Sequence, residues 1–403
     1  MKASLLAACA LTVFTTVLSA QDTTSSAPDT GYVEYSESPI TLPLGIGLRI
    51  PSYDRINGLA LPWGPKLTLG EEKFELDGLV TYRSNLGKWD PSLEGFARPG
   101  DANEIKFYAG RGTFTNDSWI RSDLANSLAA FGVGSDSRNY FRADRATARF
   151  THTQTAGVFT LTPFVGGNIE RDWSTGSILP PKSPWSFFGR KDVLKMRRAN
   201  PRVKTGHISS FLAGSGIALS RGGVDAKLDA TVEHSFKTSL TADCSGFPAD
   251  AACALSPVNF TQTTLHSQVD FATFGSQTFS FLGHAVFGTS NIAPPQRFAY
   301  LGGSGTLATV NLLALGGDRL LYVQADYIVP IDRIQLPMLG SPFIGLRYSA
   351  GNAGQGNLPP LIQNLGVGAG VSLFRVDYSI DPARNRSPLS RKSAVSFGLS
   401  LPM

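Results

Sequence analysis

Two groups of residues in this sequence could do chemistry: five histidines and a pair of cysteines. His152, His207, His234, His266 and His284 are scattered, and no pair stands at metal-ligand spacing along the chain. His266 shares parity with Gln262, Thr264, Gln268 and Asp270, so it reads as a polar lining residue rather than a catalyst. There is no G-x-S-x-G elbow, H-E-x-x-H pair, phosphate-binding loop or calcium-loop pattern. The expectation is therefore a protein that is not an enzyme, with no cofactor and no metal. Cys244 and Cys253 flank a short Gly/Pro/Ala segment and lie beyond a secretory leader. A local disulfide is expected there, worth roughly 2–3 kcal/mol on chain-entropy grounds, with two free thiols as the alternative.

Charge is the other resource. Segment 174–204 carries Lys182, Arg190, Lys191, Lys195, Arg197, Arg198, Arg202 and Lys204, with Asp192 the only acid after Lys182. Trp185, Phe187 and Phe188 lie among them. On an external face, Arg190, Lys191, Arg197 and Arg198 are expected to meet the phosphates of lipopolysaccharide, for which guanidinium forks are suited. The alternative is a solvated charge run. The net charge of +5 is spread along the chain and does not argue for nucleic acid.

The elements that must position these groups follow from composition and period. Lys2, the apolar run from Ala3 to Leu18, and small Ser19 and Ala20 read as a signal peptide over 1–20. Residues 21–42 are polar and read as a disordered periplasmic tail, leaving 43–403 as one domain. Charged residues are 17%, against about 25% in soluble proteins, while Gly and Phe are abundant at 42 and 25. From residue 43 the polarity alternates. Leu321, Val323, Ala325, Tyr327 and Val329 interleave with Gln324 and Asp326; Val224, Ala226, Leu228, Ala230 and Val232 interleave with Asp225, Lys227, Asp229, Thr231 and Glu233.

Connection lengths separate a membrane barrel from a sandwich. Sixteen strands are predicted, at 43–50, 57–69, 74–85, 91–98, 104–115, 139–152, 157–173, 205–221, 223–239, 258–272, 277–288, 319–330, 342–350, 362–372, 374–381 and 393–402. The long connections 116–138, 174–204, 240–257 and 289–318 all fall on one side, as external loops of outer-membrane barrels do. The fold expected is an all-β transmembrane antiparallel barrel of sixteen strands, with fourteen as the fallback. The apolar phase flips between Leu373 and Val376, which demands a tight turn or a bulge; an even count favours the turn. Glu75, Asp77, Arg83, Arg142, Asp144, Asp225, Lys227, Asp229, Glu233, Lys237, Gln324 and Asp326 are expected to face the lumen. They would form ion pairs that hold the barrel's shape, or line a permeation path of little selectivity.

The second half resembles the C-terminal barrel of the bacterial surface antigen family, which includes the core of the outer-membrane barrel-assembly machinery. The likeness lies in Leu301-Gly302-Gly303 followed by Thr306-Leu307, in Ala325-Asp326-Tyr327-Ile328-Val329-Pro330, in Gly366-Val-Gly368-Ala-Gly370 and Phe374-Arg375-Val376-Asp377-Tyr378, and near the start in Tyr53-Asp-Arg55-Ile-Asn-Gly58-Leu59. The resemblance implies a role in outer-membrane biogenesis or transport. It also implies an inward sixth loop whose Arg pairs with a wall Asp. Here the Arg position falls at Ala308 and the Asp position at Ser349, so both charges are absent. The loop is expected to enter the barrel mouth on Leu301, Leu307 and Val310 packing alone. Segment 21–42 is too short for the family's periplasmic modules, and the chain ends Leu401-Pro402-Met403 rather than on an aromatic. An accessory or passive monomeric barrel is expected, without insertase activity. Its expected partners are outer-membrane lipid, lipopolysaccharide and other outer-membrane or periplasmic proteins. A porin-like pore or surface barrel is the alternative.

Overall fold

The computed structural model describes residues 39–175, 185–187, 198–241, 258–289, 291–337, 339–371, 374–383 and 389–399. Nineteen strand segments form one antiparallel sheet. They group into sixteen staves. β1 is broken, with Ile40–Thr41 and Ser52–Asp54 on either side of a 3-10 turn at Pro43–Gly45; β2 is Gly58–Trp63 with Lys66–Leu69. Then come β3 (Phe74–Arg83), β4 (Lys88–Ala97), β5 (Asn103–Phe114), β6 (Phe141–His152), β7 (Phe159–Trp173) and β8 (Thr205–Arg221). The second half holds β9 (Val224–Thr241), β10 (Thr261–Ala272), β11 (Thr278–Gly288), β12 (Arg319–Pro330), β13 (Pro342–Gly354), β14 (Ile362–Val371), β15 (Phe374–Ile380) and β16 (Ser393–Leu399). Each stave pairs antiparallel with the next in sequence. The phase flip near residue 373 is a tight turn: Val371 faces Phe374 across the β14–β15 hairpin. Sixteen staves follow, not fifteen.

Burial alternates as two solvents require. On β14 and β15, Leu365, Val367, Phe374, Val376 and Tyr378 are exposed while Asn364, Arg375 and Asp377 are buried. Val165, Ile169 and Phe211 continue the outer apolar face on β7 and β8, with Phe211 62% exposed. In water such a belt would be untenable; in hydrocarbon it is the favourable surface. Inside, the charges compensate one another. Asp326 receives Arg347 at 2.7 Å and Arg375 at 3.0 Å, and Arg375 also reaches Asp377 at 2.7 Å, a quartet of two cations and two anions.

One inward assignment is corrected. Asp144 pairs with Arg111 at 2.7 Å on a partly exposed side, whereas Arg142 is buried and donates to the buried Asp90, which also receives Arg83. Arg145 and Thr147 of β6 line the central cavity, where Asp144 had been expected. The short outward set Ala146 and Ala148 gave β6 too little apolar contrast to fix its phase. Connections after even staves are short, the longest being 331–341, while 115–140, 174–204, 242–260 and 289–318 leave the opposite rim.

Candidate functional site

The external loops do not stand clear of the barrel. Loop 115–140, here L3, contains a helix that the sequence reading missed, α1 (Asp123–Val133). Ser122 caps its start by accepting from the Ala125 N–H at 3.3 Å, and Gly134 ends it in the left-handed region. Its inward face is Ala125, Asn126, Ala129 and Ala130, small residues that permit close approach. Its large apolar residues, Leu124, Leu128 and Phe131, point outward. This inversion explains why amphipathic pattern alone did not reveal the helix.

Three connections interlock beneath α1. Arg55, at the β1–β2 turn, is fully buried. It donates to the Arg198 carbonyl at 2.9 Å and to Asn200 Oδ1 at 2.8 Å. Its backbone N–H donates to Asp136 at 3.0 Å; Asp136 also accepts from Asn126 and from the Tyr140 hydroxyl. Arg198 was expected to face lipopolysaccharide. It is instead committed inward, donating to the Arg138 carbonyl at 2.7 Å and to Asn139 Oδ1. Burial and the neighbouring Arg55 charge pull its guanidinium down to about 9. Arg190, Lys191 and Arg197 lie outside the described residues, as do Cys244 and Cys253.

L6 (289–318) crosses the lumen. On one wall, Arg297 bridges two staves: it donates to Glu233 of β9 at 2.8 and 3.0 Å and to Glu170 of β7. Arg145 of β6 binds the other Glu170 oxygen at 2.7 Å. Gln296 donates to Asp172 at 3.1 Å. On the far wall, Leu301, Leu307 and Val310 pack against Leu320, Tyr322, Ala353 and Ile362 of β12, β13 and β14. Thr309 and Asn364 exchange two hydrogen bonds, at 3.0 and 2.7 Å. The expected packing residues thus sit in the lumen, but the expectation of a loop without an ion pair does not hold. The anchoring arginine is Arg297, ahead of the Leu-Gly-Gly turn and facing the opposite wall from Ser349.

The Leu301-Gly302-Gly303 and Thr306-Leu307 stretch is a compact turn. Gly302 has φ +121°, and its N–H donates to Thr306 Oγ1 at 2.9 Å. The Thr306 carbonyl accepts from Tyr322 at 3.3 Å and from Ser349 at 3.4 Å. Ala308 is half-buried beside it in sequence, and Ser349 is buried. Asp326 lies in the luminal quartet already described.

L3 and L6 clasp each other. Asn116 donates to the carbonyls of Gln296 and Phe298 at 2.7 and 3.1 Å. Asp117 accepts from the Asn139 N–H at 2.8 Å and from the Tyr300 N–H at 3.2 Å. Burial pushes the Asp117 carboxyl up to about 7, opposed by those two N–H groups and by Arg198 and Arg138. Trp119 lies flat on His284 of β11, 4.1 Å between ring centres. Below the clasp is a cavity of ≈330 Å³ bordered by Arg145, Asn168, Glu233, Thr264, His284 and Arg297 among others. What the arrangement can do is hold a wide barrel shut with polar, reversible contacts.

No family model matches the chain, and no curated protein matches it. Solved structures are similar to it at low identity and low TM-score. CdiB from Escherichia coli is 10% identical at a TM-score of 0.47, over 90% of this chain and 62% of that one. The FrpB iron transporter from Neisseria meningitidis is 11% identical at 0.38, over 85% and 61%. OccAB3 from Acinetobacter baumannii is 12% identical at 0.32, over 84% and 89%. The chain spans about three fifths of the length of the first two. It has the fold of an outer-membrane β-barrel, and its outer apolar belt and one-sided loops belong to the bacterial outer membrane.

Proposed function

We propose that this chain is a gated outer-membrane barrel serving transport across that membrane or its biogenesis, with L6 as the gate and L3 as its clasp. The observation that carries the reading is the crossing of the lumen by L6, tied to β7 and β9 through Arg297 and to β14 through Thr309. A loop fastened to both walls obstructs the lumen, and its release would open it. The motif order shared with the surface antigen family supports the same role, and the missing pair at Ala308 and Ser349 makes it an accessory member without insertase activity. No enzymatic step is assigned. Lipopolysaccharide phosphate is the proposed contact of Arg190, Lys191 and Arg197.

A disulfide lock tests the gate. In a background with Cys244 and Cys253 replaced by serine, Thr309→Cys and Asn364→Cys place two thiols where the native side chains touch. Planar-bilayer recordings of the oxidised protein should show no openings, and reductant should restore the intermittent openings of the parent. Equal conductance in the locked and unlocked states would reject a gating role for L6.

A further inference from the structure

We propose that His266 and His284 form a luminal binding site for a divalent transition-metal ion that favours nitrogen ligands, such as Zn²⁺, Cu²⁺ or Ni²⁺. The two residues are eighteen positions apart in sequence and directly opposite in register on β10 and β11. Their ring centres are 5.7 Å apart at an interplanar angle of 60°. Metal–imidazole bonds of about 2.0–2.1 Å put two rings that share one ion roughly 5–6 Å apart. The backbone register therefore already supplies the spacing.

The unmet hydrogen-bonding capacity points to a ligand. Both Nδ1 atoms are enclosed and have no hydrogen-bond partner. A buried polar atom left unpaired is unusual and calls for an occupant. His284 is 5% exposed and is held by the flat stack of Trp119, so its ring cannot swing away to find another partner. Asp229 of β9 lies opposite His266 in register, on its other side. Carboxylates beside ligating imidazoles orient the ring and raise its basicity. His284 also borders the ≈330 Å³ cavity, with Asn168, Gln262 and Thr264, which leaves room for a hydrated ion and its water ligands.

The ligand set decides the ion class. Among the described residues, no three His, Cys, Asp or Glu side chains converge on one point, so water completes the coordination. Two imidazoles suit Zn²⁺, Cu²⁺ and Ni²⁺. Mg²⁺ and Ca²⁺ require oxygen cages, which this pair does not offer. The site needs the β10–β11 register and the indole that docked L3 lays on His284, not the position of L6.

The test uses the untagged full-length protein folded in detergent. Zn²⁺ titration calorimetry gives stoichiometry, and the Cu²⁺ electron paramagnetic resonance spectrum counts nitrogen ligands. One equivalent of each ion and a two-nitrogen spectrum are expected. H266N and H284N should each weaken binding at least tenfold, the double variant should lose it, and H207N should match the parent. Excess Mg²⁺ should not compete. Wild-type protein that takes up no ion, a spectrum without two nitrogens, or undiminished binding in the double variant would overturn the proposal. The first two outcomes are read on unaltered protein, so they do not depend on any variant folding.

Discussion

Replacing Arg297 with alanine isolates the L6 anchor. The guanidinium is 8% exposed, and its two partners, Glu170 and Glu233, are 0% and 13% exposed. Removing it leaves Glu170 with Arg145 as its one cation, beside Asn168, and Glu233 with the Ser210 hydroxyl at 2.7 Å. Breaking a buried pair by deleting one partner costs about 3–5 kcal/mol, because the remaining charge stays desolvated. The luminal cavity admits water, so the lower end, about 3 kcal/mol, is expected. That cost falls on the docked state of L6 only, since an undocked loop hydrates all three groups. At about 1.4 kcal/mol per decade, the undocked population should rise on the order of a hundredfold. Two measurements read this: open probability in planar bilayers, and cleavage of L6 by added protease in folded barrels. The double variant R297A/E233Q should recover part of the loss, because Glu170 keeps Arg145 as its partner and Glu233 no longer carries a charge. If R297A leaves both open probability and cleavage at parental values, Arg297 is not the anchor and the gating argument fails with it.

Other perturbations follow from the same contacts. Gly302→Ala should undock the L6 turn, since a Cβ there would lie 2.1 Å from the Asn311 carbonyl oxygen at a φ of +121°, a strain of at least about 1–3 kcal/mol; rising protease sensitivity between β11 and β12 is the readout. Asp326→Ala strands Arg347 and Arg375 with Asp377 alone and should lower barrel stability by about 3–5 kcal/mol in urea titration, with D326N costing less. Asp117 makes the L3–L6 clasp pH-dependent. Its folded value of about 7 lies above its ordinary 3.8, so the docked state holds the proton more tightly. Its contribution is therefore full below about pH 4 and is lost as pH rises through 7. Hydrogen exchange at the Tyr300 amide should accelerate across that window in the parent, and D117N should flatten the change. An identical slope in both would exclude Asp117 as the titrating group.

Apart from the first, expected at 43–50 but formed by Ile40–Thr41 and Ser52–Asp54 around a 3-10 turn, the staves were legible because each needs only local information. Alternation along Leu321 to Val329 fixes an outer and an inner face, and a one-residue error would place Asp326 in lipid. The phase flip at 373 was legible for the same reason, and the Val371–Phe374 hairpin is its physical form. Where contrast fell, legibility fell. On β6 both faces carry charge and small residues, and Asp144 was expected inward although it pairs with Arg111 on a partly exposed side. The loops were not legible at all in this way. Their contacts join residues far apart in sequence, such as Asn116 with Gln296 or Arg55 with Asn200, and no period announces such a pair. α1 turns its small face inward, against the rule by which helices are usually found.

Between these extremes lies a kind of information that was present but unread. In an antiparallel hairpin the paired positions sum to a constant, so fixing the turn fixes every cross-strand partner. The turn was expected at 273–276, whose centre would pair 266 with 283; the observed turn spans 273–277, and its centre at 275 pairs 266 with 284 and 270 with 280. The two histidines looked scattered only because they were compared along the chain, where ligand spacings of helices and short loops apply. Across the hairpin they are neighbours; the pairing of β9 with β10 also places Asp229 opposite the first of them, a register that no short turn fixes. Arg297 yields to no such rule. It lies eight positions from the loop's start at Thr289, and only the folded wall shows that Glu170 and Glu233 wait for it. Sites built from paired staves are thus recoverable from sequence once turns are known, whereas sites built by loops entering a lumen require the three-dimensional wall they land on.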